Sequence, residues 1–289
     1  MTAAPVHVIG ASGRSGRALC ASLIADGIAP VPLVRSATKW AAAGLTPAAR
    51  IADLTHPDAL RAALADATRI VCCAHARHAA AVLAAAPPAA RIVFLGSTRK
   101  FTRWPDAHAL GVIAGEAACR AAGRRCVMLH PTMIYGATGE DNVQRLAALL
   151  RRLPFVPLPG GGRALVQPIH QDDVTRAIRA ALDRAWDGAA SVVIAGPAPL
   201  AYADFVRAVA AAAGLHAPRI VAVPAFLLRA LAPLTRLLPG LPTVRGAELR
   251  RLLEDKAFDI APMRAMLGID PTPLRDGLAR SFAPSHNPT

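Results

Sequence analysis

The sequence predicts an α/β chain, a doubly wound parallel sheet followed by a smaller C-terminal lobe. Short β-branched runs alternate with helical patterns through the first half of the chain. Continuous apolar runs separated by helices describe parallel strands covered on both faces. The first run, Val6–Ile9, opens directly into a turn with glycines at Gly10, Gly13 and Gly16 and then a helical stretch. After Gly136 the rhythm changes, and proline- and glycine-rich sequence separates the remaining elements.

In chain order, strands are expected at Val6–Ile9, Val31–Val34, Arg50–Ala52, Ile70–Ala74, Ile92–Leu95 and Val127–Leu129. Helices are expected between them at Arg14–Ala25, Pro57–Leu64, His78–Ala85 and His108–Ala122. Right-handed crossovers then place a ligand at the carboxyl ends of the strands. A helix at Asn142–Arg152 leads into a loop, Pro154–Gly162, and a strand-like run, Ala164–His170. Asp172 or Asp173 is placed to cap a helix over Val174–Trp186, since a carboxylate there can accept an unpaired N–H of the first turn. A strand at Ser191–Ala195 and a helix at Tyr202–Ala213 follow, then a strand and helical segments from Pro218. The expected division is a nucleotide-binding core over residues 1–153 and a substrate-binding lobe over 154–289 that lends strands to the main sheet.

Composition narrows the class. With 289 residues, 54% hydrophobic and 18% charged, the chain can build a large buried core. Met1–Pro5 runs straight into the first strand, so no secretory leader is expected there. The longest apolar stretch, Ile220–Leu241, is broken by Arg229, Arg236 and three prolines, so no transmembrane span is expected. The five cysteines fit no metal spacing and read as reduced core residues of a cytoplasmic protein. The net charge of +14 rests on arginine, since of 33 basic residues only Lys39, Lys100 and Lys256 are lysines. These arginines are scattered along helix faces, which reads as a solvated surface or as affinity for anionic partners such as phosphates. Nucleic acid is not an expected partner, because aromatics make up 4% of the chain and no recognition motif is present.

The glycine turn carries the first chemical signal. A strand, a tight turn and a helix N-terminus present backbone N–H groups and a positive dipole end to an anion. Gly10 permits the turn, Gly13 a close pyrophosphate approach, and Gly16 close packing of the helix. NAD-using folds of this kind hold the ribose 2′-hydroxyl with an acid about 20 residues past the glycines. Here the second strand ends Leu33-Val34-Arg35-Ser36 with no acid. Arg35, with Arg14 of the turn, offers guanidinium groups to a 2′-phosphate, which favours NADP(H) over NAD(H).

Taken together, the chain resembles the NAD(P)-dependent epimerase/dehydratase branch of the extended and atypical short-chain dehydrogenase/reductases. The matching segments are Gly10–Gly16, Leu33–Arg35, Ala52–Leu54, Phe94–Ser97, Pro131–Gly136, Pro168–Val174 and the closing Asp259–Gly268 with Pro271, Leu274 and Gly277. The resemblance implies a Rossmann fold. It also implies that Gly10, Ser12, Gly13, Arg14, Ser15 and Gly16 wrap the cofactor pyrophosphate, with Asp53 and Leu54 at the adenine. Ala74 and His75 would lie along the ribose, Ser97 near the nicotinamide, and Pro131, Thr132 and Met133 against its face.

The family's Tyr-x-x-x-Lys pair is missing. Its lysine lowers the tyrosine pKa so that the phenol can exchange a proton. Four residues beyond Tyr135 and Tyr202 stand Gly139 and Val206. Aligning the family's glutamate on Glu116 puts His108 at the tyrosine's place and Val112 at the lysine's. His108 can exchange protons near neutrality unaided. Lys100, two residues past Thr98, could stabilise an oxyanion, and Tyr135 is a third candidate. His130 and His170 read as strand-end residues near the cleft, and no metal site is expected.

Two functions fit. One is an oxidoreductase or epimerase-like enzyme acting on a nucleotide-sugar or a related small carbonyl or hydroxyl substrate. The other is a non-catalytic NADP(H)-binding protein, similar to atypical family members such as an accessory subunit of respiratory complex I. The arginine-studded stretch 217–241 reads as a lid, an interface or a membrane-surface helix.

Overall fold

A computed structural model describes residues 4–136, 142–153, 155–224, 226–227, 250 and 252–283. Seven parallel strands form the main sheet: β1 (Val6–Ile9), β2 (Pro30–Val34), β3 (Arg50–Ile51), β4 (Arg69–Cys72), β5 (Arg91–Leu95), β6 (Cys126–Pro131) and β11 (Ala189–Ile194). Their order is β11-β6-β5-β4-β1-β2-β3. The chain order reverses between β1 and β4, where an open α/β sheet leaves a crevice for ligands. The doubly wound fold predicted from the alternation is the fold observed.

Helices cover both faces because the strands bury both. On one side α1 (Arg14–Ala25), α7 (Gln171–Asp183) and α9 (Ala261–Leu267) pack on a core that includes Val6, Val8, Val71, Val93 and Val127. On the other, α3 (Pro57–Leu64), α4 (Ala79–Ala85) and α5 (Ala107–Ala121) pack on Ile9, Leu33, Ile70, Ile92 and Phe94. A short helix, α2 (Ala37–Ala41), follows β2 with Ser36 as its cap, an element the apolar pattern does not reveal.

The second half departs from expectation in three places. The run at Ala164–His170 is two short strands, β9 (Leu165–Val166) and β10 (Ile169–His170), divided at Gln167-Pro168. Helix α7 starts at Gln171, earlier than predicted, because the His170 ring accepts the Asp172 N–H; Asp172 and Asp173 sit in its first turn. The expected loop at 154–162 contains a strand, β8 (Phe155–Pro159), parallel to β13 (Arg219–Val223). Pro157 and Pro159 disguise it, since proline is tolerated only where no ladder N–H is needed.

Beside these lie β7 (Ile134–Tyr135), which pairs with β10, and β12 (Leu200–Ala201), which pairs with β9. Helices α6 (Asn142–Leu150), α8 (Tyr202–Ala212) and α10 (Leu274–Phe282) complete the described chain. A smaller core joins Val143, Val166, Phe205, Val209 and Leu278 around Tyr135. All five cysteines are free thiols. Among the described residues no helix is long and apolar enough to cross a membrane, and no cluster of potential ligands could hold a metal ion. Of the stretch considered for membrane contact, 225 and 228–241 lie outside the described residues, and 219–223 form β13.

Candidate functional site

Because the main strands are parallel, every segment singled out in the sequence emerges at the same edge of the sheet. Read across that edge, β3 is followed by Asp53, β2 by Arg35, β1 by the glycine turn, β4 by Ala74 and His75, and β5 by Ser97. Strand β6 ends at Pro131 and leads into Thr132 and Met133.

The turn is built as its glycines require. Gly10 has φ 75°, a left-handed conformation, and a Cβ there would lie 2.9 Å from the Ala74 amide nitrogen. A Cβ on Gly16 would stand 2.4 Å from the Gly10 carbonyl oxygen, so glycine alone lets α1 approach β1 this closely. Gly13 caps α1 without a side chain, while Ser12 is half-buried in the turn. Ser15 turns inward, donating from Oγ to the Gln171 Oε1 at 3.1 Å. Arg14 lines a cavity between α1 and α7 together with Arg17 and Arg176.

At the far end of the edge Arg35 is exposed. Asp53 accepts the Thr55 amide at 2.9 Å and the Thr55 hydroxyl at 2.8 Å through Oδ1, and these bonds hold its carboxyl below the usual range. Leu54 packs against the core. Arg77 and His78, which the sequence reading passed over, also reach this end. The Arg77 Nε donates to His78 Nε2 at 3.2 Å. Burial first, and then the charges of Arg77 and Arg35, lower the His78 pKa.

The structure brings His75 and His108 together. His75 Nε2 and His108 Nδ1 are 3.0 Å apart, with the rings edge to face. His75 Nδ1 accepts the Arg77 amide at 3.1 Å, so the His75 proton sits on Nε2 and is donated to His108. His108 in turn carries its own proton on Nε2. Burial and the neighbouring His108 lower the His75 pKa. Two helical glycines one turn apart seat the pair: a Cβ on Gly111 would meet His75 Cε1 at 2.7 Å, and one on Gly115 the Ala76 carbonyl oxygen at 2.1 Å. This small-residue spacing was the available signal that α5 packs tightly against the loop after β4.

Lys100 lies elsewhere than expected. Its ammonium donates to Glu116 Oε2 at 2.6 Å and lies 3.2 Å from His130 Nε2 and 3.4 Å from Ser191 Oγ. With Glu116 Oε2 and Ser191 Oγ to accept from it, the ammonium is held in this network and ties the turn after β5 to α5. His130 Nε2 carries the ring proton, because Nδ1 accepts the Ser97 amide, and is a neighbour of the ammonium and not an acceptor. His130 is fully buried, accepts the Ser97 amide on Nδ1 at 3.3 Å and meets the Ser191 hydroxyl at 3.1 Å. Burial opposes the charge of Glu116, but bonds from Lys100 and Ser191 outweigh it and keep the carboxyl below its ordinary value. Only the register of Glu116 hinted at this cluster.

Ser97 caps a short 3₁₀ turn, Thr98–Phe101, by accepting the Arg99 amide on its hydroxyl at 3.1 Å. The turn, with Thr132 and Met133, walls a cleft of about 890 Å³, closed on the other side by Arg250, Glu254 and Phe258. Glu254 stitches the two walls, accepting from the Thr102 hydroxyl and the Arg103 amide, both at 2.7 Å. Tyr135 does not reach the cleft. It is fully buried against Gly277 and His170, and burial raises its phenol pKa, so it packs the smaller core.

Residues 10–151 match the model of a family described as NAD(P)H-binding. Among solved structures, UDP-glucuronic acid 4-epimerase from Bacillus cereus, in complex with UDP-glucuronic acid and NAD, aligns with a TM-score of 0.72 at 16% identity, covering 96% of this chain and 98% of that one. A nucleoside-diphosphate-sugar epimerase from Pseudomonas aeruginosa aligns with a TM-score of 0.71 at 21% identity, covering 96% of each chain. The protein designated gox2253 aligns with a TM-score of 0.74 at 19% identity over 97% of both chains. At these identities the likeness is one of fold. No curated protein sequence matches the chain.

Proposed function

We propose an NADP(H)-dependent, epimerase-like oxidoreductase, a reading supported by the match of residues 10–151 to an NAD(P)H-binding family and by the fold shared with nucleotide-sugar epimerases. Its substrate would be a nucleotide-sugar or a related small carbonyl or hydroxyl compound, taken into the cleft between Ser97 and Phe258. Residues 1–153 would serve the cofactor and 154–289 the substrate. The observation that carries the reading is the His75–His108 pair at 3.0 Å, standing where the family's tyrosine is missing.

The residues present fit a dinucleotide. The turn at Gly10–Gly16 is a cradle that a Cβ at Gly10 or Gly16 would fill, and the positive end of the α1 dipole faces it. Arg35, joined by Arg77 and His78, gathers donors where a 2′-phosphate would lie, which supports NADP(H). The nicotinamide supplies or accepts hydride when bound. His75 holds the His108 proton on Nε2, and we assign that N–H to give its proton to a developing substrate oxyanion. This leaves an imidazolate that the His75 Nε2–H stabilises and that takes the proton back in the reverse direction. Lys100, spent on Glu116 and Ser191, holds the Ser97 turn against α5 instead of meeting an oxyanion.

One observation favours a binding-only protein: the ammonium of Lys100 and the phenol of Tyr135 are both buried in other contacts, so no Tyr–Lys pair can assemble. Turnover separates the readings. Across a panel of nucleoside-diphosphate sugars with NADPH or NADP⁺, the enzyme reading expects activity that falls about 10²–10⁴-fold in His108→Ala, with cofactor affinity little changed. Turnover unaffected by His108→Ala would remove the proton-transfer assignment. No turnover on any sugar, with NADPH retained through purification, would establish the binder.

A further inference from the structure

We propose a second ligand site, outside the dinucleotide groove and the Ser97 cleft, that takes a phosphomonoester carried on an apolar body. It is the cavity of about 570 Å³ between α1 and α7, beneath the overhang of α10. That volume falls within the roughly 300–1,000 Å³ of small-molecule pockets, which pair apolar walls with a few convergent polar groups. Ala18, Ala21, Ala43 and Leu45 supply its apolar lining.

Arg14, Arg17, Arg176 and Arg280 line it, with Asp172 as the lining carboxylate. Arg176 and Arg280 lean on acids of the first turn of α7: Arg176 donates to Asp173 at 2.5 Å, and Arg280 stands 3.8 Å from Asp172. Arg17 has no side-chain hydrogen bond or ion pair among the described residues. Several arginines around a partly apolar cavity favour a phosphate, a tetrahedral dianion whose three terminal oxygens can accept from more than one guanidinium fork, over a monoanionic carboxylate.

His170 closes the inner wall of the cavity and is 4% exposed. Its Nδ1 lies 3.3 Å from both the Asp172 amide and the Asp172 carboxylate, while its other edge faces Gly136 and Tyr135 in the smaller core.

The site also touches the cofactor turn. Gln171 lines it and accepts from Ser15, the residue just inside α1. The apolar lining and the separate cavity distinguish this ligand from the dinucleotide phosphates, whose cradle is the glycine turn itself.

Calorimetry with phenyl phosphate tests the proposal, using inorganic phosphate and phenol as controls and working with the full chain both free and saturated with NADPH. We expect one phenyl phosphate per chain in both states. Arg17→Glu and Arg280→Glu should each weaken it at least tenfold while leaving the NADPH affinity within twofold. Phosphate and phenol alone should each bind at least tenfold more weakly. Displacement of phenyl phosphate by NADPH would overturn the proposal, as would affinity unchanged in both variants, equal binding of inorganic phosphate, or no binding at 10 mM, roughly the weak limit for so small a ligand. Because phenyl phosphate is also measured on the free chain, a failure to bind NADPH would count against the cofactor reading alone.

Discussion

Exchanging His130 for asparagine should flatten the pH dependence of stability. His130 is fully buried between the Ser97 amide, the Ser191 hydroxyl and the Lys100 ammonium. Burial, and after it the positive charge of Lys100, pushes its pKa down to about 4, with Glu116 pulling weakly the other way. In the unfolded chain the ring returns to about 6.5. Between those values the unfolded state binds a proton that the folded state refuses, so stability present above pH 6.5 drains away as the pH falls toward 4. At about 1.36 kcal/mol per pH unit the full interval is worth about 3.4 kcal/mol, of which ~2.5 kcal/mol is lost between pH 7.5 and 4.5. Urea denaturation at those two pH values measures it. The other titrating groups are shared by both proteins, so the wild type should lose about 2.5 kcal/mol more than His130→Asn over the same interval. Equal losses would refute the claim that the buried ring is kept neutral, and with it the account of how Lys100 and His130 coexist 3.2 Å apart.

Two further outcomes follow from the geometry. Arg35→Ala should shrink the preference for NADPH over NADH by about 1.5–3 kcal/mol, the range for charge-assisted hydrogen bonds, as read by calorimetry with both nucleotides. Equal wild-type affinity for the two would sink the 2′-phosphate assignment. Gly115→Ala places a methyl 2.1 Å from the Ala76 carbonyl oxygen, on backbone that must move, and should destabilise by about 1–3 kcal/mol as overpacking does. It should also slow any turnover by displacing His75 from His108, and a variant as stable and active as the wild type would show that this contact is soft.

Much of the fold was legible because its signals are local. Strand β1, the glycine turn and α1 occupy adjacent residues, and the contact that demands glycine at Gly16 is with Gly10 itself. The carboxyl-edge row of Arg35, Asp53, His75, Ser97 and Pro131 follows from strand alternation alone, since parallel strands deliver their ends to one edge. Strand β8 was hidden because its partner β13 lies some sixty residues on and its own prolines read as a loop. The α7 cap was misplaced because histidine is not a favoured capping residue, and the acids that are favoured came one and two positions later inside the helix.

The site's chemistry was less legible, and for a different reason. The sequence treated Lys100, His108, His130 and Glu116 one at a time, whereas the structure sorts them into two separate networks. Lys100, Glu116, His130 and Ser191 come from the turn after β5, from α5, β6 and β11, and no spacing in the chain announces that they meet. A lysine in a polar loop is usually solvated, and only its burial against Glu116 reverses that expectation. His108 was found by register with the missing tyrosine, but its partner was assigned to the ribose; the 3.0 Å contact gives the two histidines a joint role. With the ammonium spent on the loop scaffold, the proposed proton transfer falls to the imidazoles or to a bound water. The His75–His108 relay is the proposed feature by which this chain, if it turns over substrate, does so without a tyrosine.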